Sequence, residues 1–174
     1  MRLFIILIIS ILPVFAKITL SEKQIENLKI VRDVALKYKD KNGESFPNTI
    51  ASICMAESSG GMNLMGVPTQ EKGKIYSSLG AMQIRVPTAR YISSLYPKKL
   101  KVIHAMTDIQ LRKKLLTDIR FSAKIATLYI IHLSNTRKSY FSAVSGYNGG
   151  TRNHKYYKRV VKWNNILKKL KINF

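Results

Sequence analysis

The chain has 174 residues, 46% of them hydrophobic and 22% charged, which excludes a disordered polymer and suits one compact domain with its own core. Thirty lysines and arginines against nine acids give a formal charge of +21, which points either to a polyanionic partner or to a lysine-rich composition as such. One cysteine, Cys54, excludes an internal disulfide, and neither a repeat nor a low-complexity tract is present.

The chain opens with Arg2 ahead of the apolar run Leu3 to Phe15, followed by Val14-Phe15-Ala16 and then Lys17. That pattern reads as a secretory signal over residues 1–16, with a mature domain over 17–174 and a charge of +20 once Arg2 is removed. The apolar run is shorter than the roughly 20 residues a membrane-spanning helix needs, so a permanent anchor is the weaker alternative. No cysteine follows to carry a lipid, and the mature protein is expected to be soluble and monomeric in the periplasm or cell envelope.

Ser21 caps a predicted helix to about Tyr38, with Ile25, Leu28, Val31, Ala35 and Tyr38 at three- and four-residue steps; Asn42-Gly43 ends it. Pro47-Asn48 opens a second helix in which Ile50, Ile53, Cys54 and Glu57 share a face. Residues 58–79, with Gly60, Gly61, Gly66, Pro68 and Gly73, read as a long loop walling a cleft. Pro87 starts a helix that Pro97 stops. Asp108 to Leu116 and Thr117 to Leu133 read as two helices or one broken one, the second strongly apolar and therefore central. Ser139 to Tyr147 is a short helix closed by Gly149-Gly150, and Tyr156 to Leu170 is the last, amphipathic and basic. No stretch alternates as a strand, so the expected class is all-α.

Three segments carry candidate chemistry: Met55-Ala56-Glu57-Ser58-Ser59-Gly60, Gly80-Ala81-Met82-Gln83-Ile84, and Ser145-Gly146-Tyr147-Asn148-Gly149-Gly150. In this order and spacing they resemble the lytic transglycosylase signature, over about Glu44 to Val160. The resemblance implies a soluble lytic transglycosylase-type, goose-type-lysozyme-like single domain with its catalytic Glu at a helix end. It makes Glu57 the acid and base, with Ser58 a hydrogen-bonding neighbour. Gln83 would bind a sugar, Met82 shape an apolar wall, Gly80 allow close backbone approach, and Tyr147 and Asn148 contact the sugar or orient Glu57. Tyr156, ahead of Lys158-Arg159-Val160, resembles a further family tyrosine. Ala81 and Ser59-Gly60 replace larger and aromatic residues common in the family, a departure that bears on subsite shape.

The implied reaction cuts the MurNAc-GlcNAc β-1,4 bond of peptidoglycan, leaving a 1,6-anhydromuramic end. A carboxyl among apolar residues keeps its proton to higher pH, as a general acid requires. A hydrolase would need a second carboxylate, and between Glu57 and Asp108 only Glu71 is available. One glutamate suffices where the sugar's own 6-hydroxyl attacks, because an intramolecular group has a large proximity advantage over water. A hydrolytic muramidase and a non-enzymatic cationic wall-binding protein remain the alternatives. His104, His132 and His154 lack ligand spacing, so neither metal nor cofactor is expected. The basic runs are spread along the chain, which argues against nucleic acid as partner; glycan strands are expected, and small single-domain members of the family also serve secretion or conjugation machines.

Overall fold

The computed structural model describes residues 18–71 and 74–170; the expected signal segment and its junction at Lys17 lie outside them. Among the described residues eight helices run in chain order: α1 (Glu22–Leu36), α2 (Pro47–Ser58), α3 (Val86–Leu95), α4 (Lys101–His104), α5 (Asp108–Thr117), α6 (Ile119–Thr136), α7 (Tyr140–Tyr147) and α8 (His154–Lys169). The class is all-α, as the periodicity predicts.

Capping residues fix most of the starts. Ser21 and Thr107 each accept from the backbone N–H three residues on, and Gln24 and Gln110 return the bond to the cap backbone, closing two capping boxes. Asp118 ends α5 in extended geometry and caps α6 through Phe121 N, so the predicted break falls on that one residue. Pro47 and Pro87 sit in the first turns of α2 and α3, where a missing N–H costs nothing.

Helix α6 is the axis of the core. It packs against α1, α2, α3, α5 and α7, and Phe121, Ala123, Ile125, Ala126, Leu128, Ile130, Ile131 and Leu133 are buried around its circumference. Helix α2 is enclosed in the same way, held between α1 and α8 with a foot on α6. Ile50, Ala51, Ile53 and Cys54 have no exposed surface. Short α4, unseen in the sequence, buries Ile103.

The loop after α2 differs from expectation. It contains an antiparallel hairpin, β1 (Thr69–Glu71) against β2 (Lys74–Tyr76), with Thr69 opposite Tyr76 and Glu71 opposite Lys74. Single bridges from Leu79 to Met65 and to Ile84 tie its base to the segment before α3. Strands of three residues with charged and polar members give no period-2 signal, which is why the sequence reads there as irregular.

Candidate functional site

The end of α2 is held from two sides. It stops in a left-handed turn, Ser59 at φ 53° and Gly60 and Gly61 at 72° and 83°, with the Gly60 N–H returning to Cys54 O at 3.2 Å. From α1, Gln24 Nε2 donates to Ser59 O and Asn27 Nδ2 to Gly60 O, both at 2.9 Å. From the other side, buried Ser58 Oγ donates to Ala81 O at 2.6 Å and accepts from Gly61 N at 2.8 Å. Ser58 therefore ties the first motif to the second. Its hydroxyl faces backbone and is not among the residues lining the cleft.

Glu57, one residue earlier, projects half-buried into a cleft of about 260 Å³. Burial disfavours its carboxylate; the Tyr156 hydroxyl, the Arg159 guanidinium and the Asn148 amide favour it, and the balance leaves the carboxyl above the ordinary glutamate value. The Tyr156 hydroxyl is buried without a hydrogen bond of ordinary geometry and faces this carboxyl electrostatically. Burial and the neighbouring Glu57 push the Tyr147 and Tyr156 hydroxyls well above the usual phenol range, so both remain neutral donors. The Arg159 guanidinium stands 5.3 Å from the centre of the Tyr156 ring.

The second motif is a tight bend. Gly80 has φ 72°, and a Cβ there would lie 1.9 Å from Leu115 O, so the close approach it permits is to α5. Met82 is fully buried and presents its carbonyl to the Tyr147 hydroxyl at 2.8 Å, which joins the second motif to the third. Gln83 lines the cleft in left-handed geometry at φ 48°, an uncommon backbone for a non-glycine residue. Its amide nitrogen donates to Gly80 O at 2.9 Å and Asn63 O at 3.1 Å, which leaves Oε1 as its remaining polar atom.

Glu57, Gln83, Tyr147 and Asn148 thus share one cleft, with Tyr156 behind Glu57, whereas Ser58, Gly80 and Met82 form the frame. The sequence reading missed other lining residues: Thr69, Ser78, Arg85, Thr88 and Tyr129. Arg85 and Thr88 follow directly on the Gly-Ala-Met-Gln stretch, and Arg85 donates to Thr69 Oγ1 at 2.9 Å. Tyr129 is hidden within α6, among core residues; its hydroxyl donates to Gly146 O at 3.0 Å while its ring tilts against Tyr147, 5.4 Å between centres. Among the described residues, Glu57 is the only acid lining the cleft and no group of side chains could hold a metal ion.

A family model for the transglycosylase SLT domain matches residues 34–170. The chain belongs to the transglycosylase SLT domain family. Neither curated proteins nor solved structures give a match. As an SLT domain, the chain is of peptidoglycan lytic transglycosylase type, which makes the wall its substrate and sets its action outside the cytoplasm. No helix among the described residues is long and apolar enough to cross a membrane. All three motifs of this SLT domain fall inside the matched segment, whereas Gln24 and Asn27, which hold the carbonyls at the end of α2, lie ahead of it.

Proposed function

We propose that Glu57 is the single acid and base of a lytic transglycosylase that cuts between MurNAc and GlcNAc. Protonated Glu57 gives its proton to the bridging oxygen, the bond from the muramyl C1 to that oxygen breaks, and GlcNAc departs as an alcohol. The resulting carboxylate takes the proton of the muramyl 6-hydroxyl while O6 bonds to C1, which closes the 1,6-anhydro ring and restores the acid without consuming water. The observation that carries this reading is the carboxyl itself: buried enough to keep its proton above the ordinary glutamate range, yet open to a cleft. The neutral Tyr156 hydroxyl and the Asn148 amide are placed to stabilise the carboxylate midway through the cycle.

Gln83 Oε1 and Asn148 are the sugar contacts in this scheme, with Tyr147 braced on Met82 O to hold Asn148 at the cleavage point. The apolar leader supports export to the periplasm or envelope.

Mass spectrometry of sugars released from purified peptidoglycan tests the reading. Products one water lighter than hydrolytic muropeptides, absent with Glu57→Gln, are the expected result. Reducing-end products would overturn it and turn attention to Glu71, and full activity in a folded Glu57→Gln protein would remove Glu57 from the chemistry.

A further inference from the structure

Helices α3 and α6 continue past the wall of the cleft. Thr88 on α3 and Tyr129 on α6 line it. Three residues further along each helix, and so on the same two faces, stand Tyr91 and His132. These side chains meet: the Tyr91 hydroxyl lies 3.1 Å from His132 Nε2, and the ring centres are 5.7 Å apart with their planes at 82°. Tyr91 is also close enough to Tyr129 for the two phenols to act on each other electrostatically. The four residues make a continuous strip that begins in the cleft and leads out of it.

Packing does not account for Tyr91. It is 50% exposed and takes no part in the core, whereas Ala89, Ile92 and Ser93 beside it on α3 are buried. His132 holds it by the hydroxyl end, which fixes the ring while half of the residue stays open. Burial and the Arg137 guanidinium hold the His132 imidazole below its ordinary value, so it is neutral at pH 7. A neutral imidazole and a phenol carry one polar hydrogen each. In either tautomer one of the two bridges the pair, and the other is left to donate.

We propose that Tyr91 and His132 form an outer sugar subsite, which takes a pyranose of the same glycan strand beyond those held in the cleft. A pyranose has a face of C–H groups, whose slightly positive hydrogens suit the negative face of a phenol ring, and a rim of hydroxyl oxygens that accept the remaining hydrogen of the pair. The spacing matches as well, because three residues of helix advance about 4.5 Å, close to the length of one sugar. Both side chains are neutral, so the strip reads the saccharide and not the charges of its peptide stems. The proposal deepens the glycan reading of the cleft and rests on it, but it concerns binding and not the proton transfers assigned to Glu57.

Calorimetric titration of the chain carrying Glu57→Gln with stem-free glycan strands of four and eight sugars tests it. The longer strand is expected to bind more tightly. Adding Tyr91→Ala lowers its affinity by roughly tenfold and that of the shorter strand by less than about twofold, and Tyr91→Phe, which keeps the ring, recovers most of the loss. Thermal melts check that both variants fold. An equal loss at the two lengths, or none at either, overturns the subsite and leaves the cleft as the glycan site. If neither strand binds before Tyr91 is changed, the glycan reading of the cleft falls and the subsite with it.

Discussion

At the scale of single residues, the proposed reaction makes the proton on Glu57 a link between activity and stability. Because burial disfavours the carboxylate, the folded chain binds this proton more tightly than the unfolded one between the ordinary glutamate value of about 4.3 and the raised folded value. The stability linked to Glu57 is therefore complete below that window and is lost as pH rises through it. Glu57→Gln, neutral at every pH, is expected to melt higher than the parent at pH 7 and to lose that advantage at pH 3; thermal melts at the two pH values check it. Tyr156→Phe separates the site from the fold in another way. The hydroxyl is buried with no hydrogen bond of ordinary geometry and faces the Glu57 carboxyl, so its removal is expected to leave stability within about 1 kcal/mol. The same change removes a group that favours the Glu57 carboxylate, so cleavage falls and the alkaline limb of the pH profile moves upward. A downward shift of that limb would contradict the assignment. The place of Glu57 at the end of an apolar helix was legible in the sequence because its helix face is apolar and glycines follow. The role of Ser58 was not, because its partners Ala81 O and Gly61 N are backbone atoms that the fold alone brings near.

At the scale of elements, the cleft depends on a bend built from backbone carbonyls. Gly80 turns the chain at φ 72° against Leu115 O, Ser58 holds Ala81 O, and Tyr147 holds Met82 O. Gly80→Ala places a methyl group where α5 has backbone, so either the bend or α5 must move. The expected cost is at least about 2 kcal/mol in urea unfolding, with cleavage reduced further in the protein that remains folded. A wild-type midpoint would mean that the bend is soft. Helix positions were legible because Ser21, Pro47 and Pro87 mark starts and apolar residues recur on the inner faces. The hairpin and α4 were not, since three- and four-residue elements are too short for a period to emerge. Tyr129 escaped for the opposite reason: its neighbours on α6 are mostly apolar core residues, and only the tertiary position shows that it lines the cleft.

At the scale of the whole molecule, charge and catalysis separate. The formal charge of +21 comes from lysines and arginines spread over the chain, whereas among the described residues the cleft is lined by one acid, Glu57, and one base, Arg85. A field of that sign raises the local concentration of protein at an anionic wall without altering the reacting atoms. Screening shortens its reach from about 10 Å at 0.1 M salt to about 3 Å at 1 M. Cleavage of intact sacculi is therefore expected to fall steeply across that range. On soluble glycan fragments stripped of anionic polymers, kcat is expected to change little and KM modestly, because the proposed bond-breaking step uses one carboxyl and the sugar's own hydroxyl. Parallel salt titrations on the two substrates decide it. Equal sensitivity would place the charge effect inside the cleft, on Arg85 and Arg159; sensitivity confined to sacculi assigns the basic surface to capture of the wall and leaves the chemistry to the neighbourhood of Glu57.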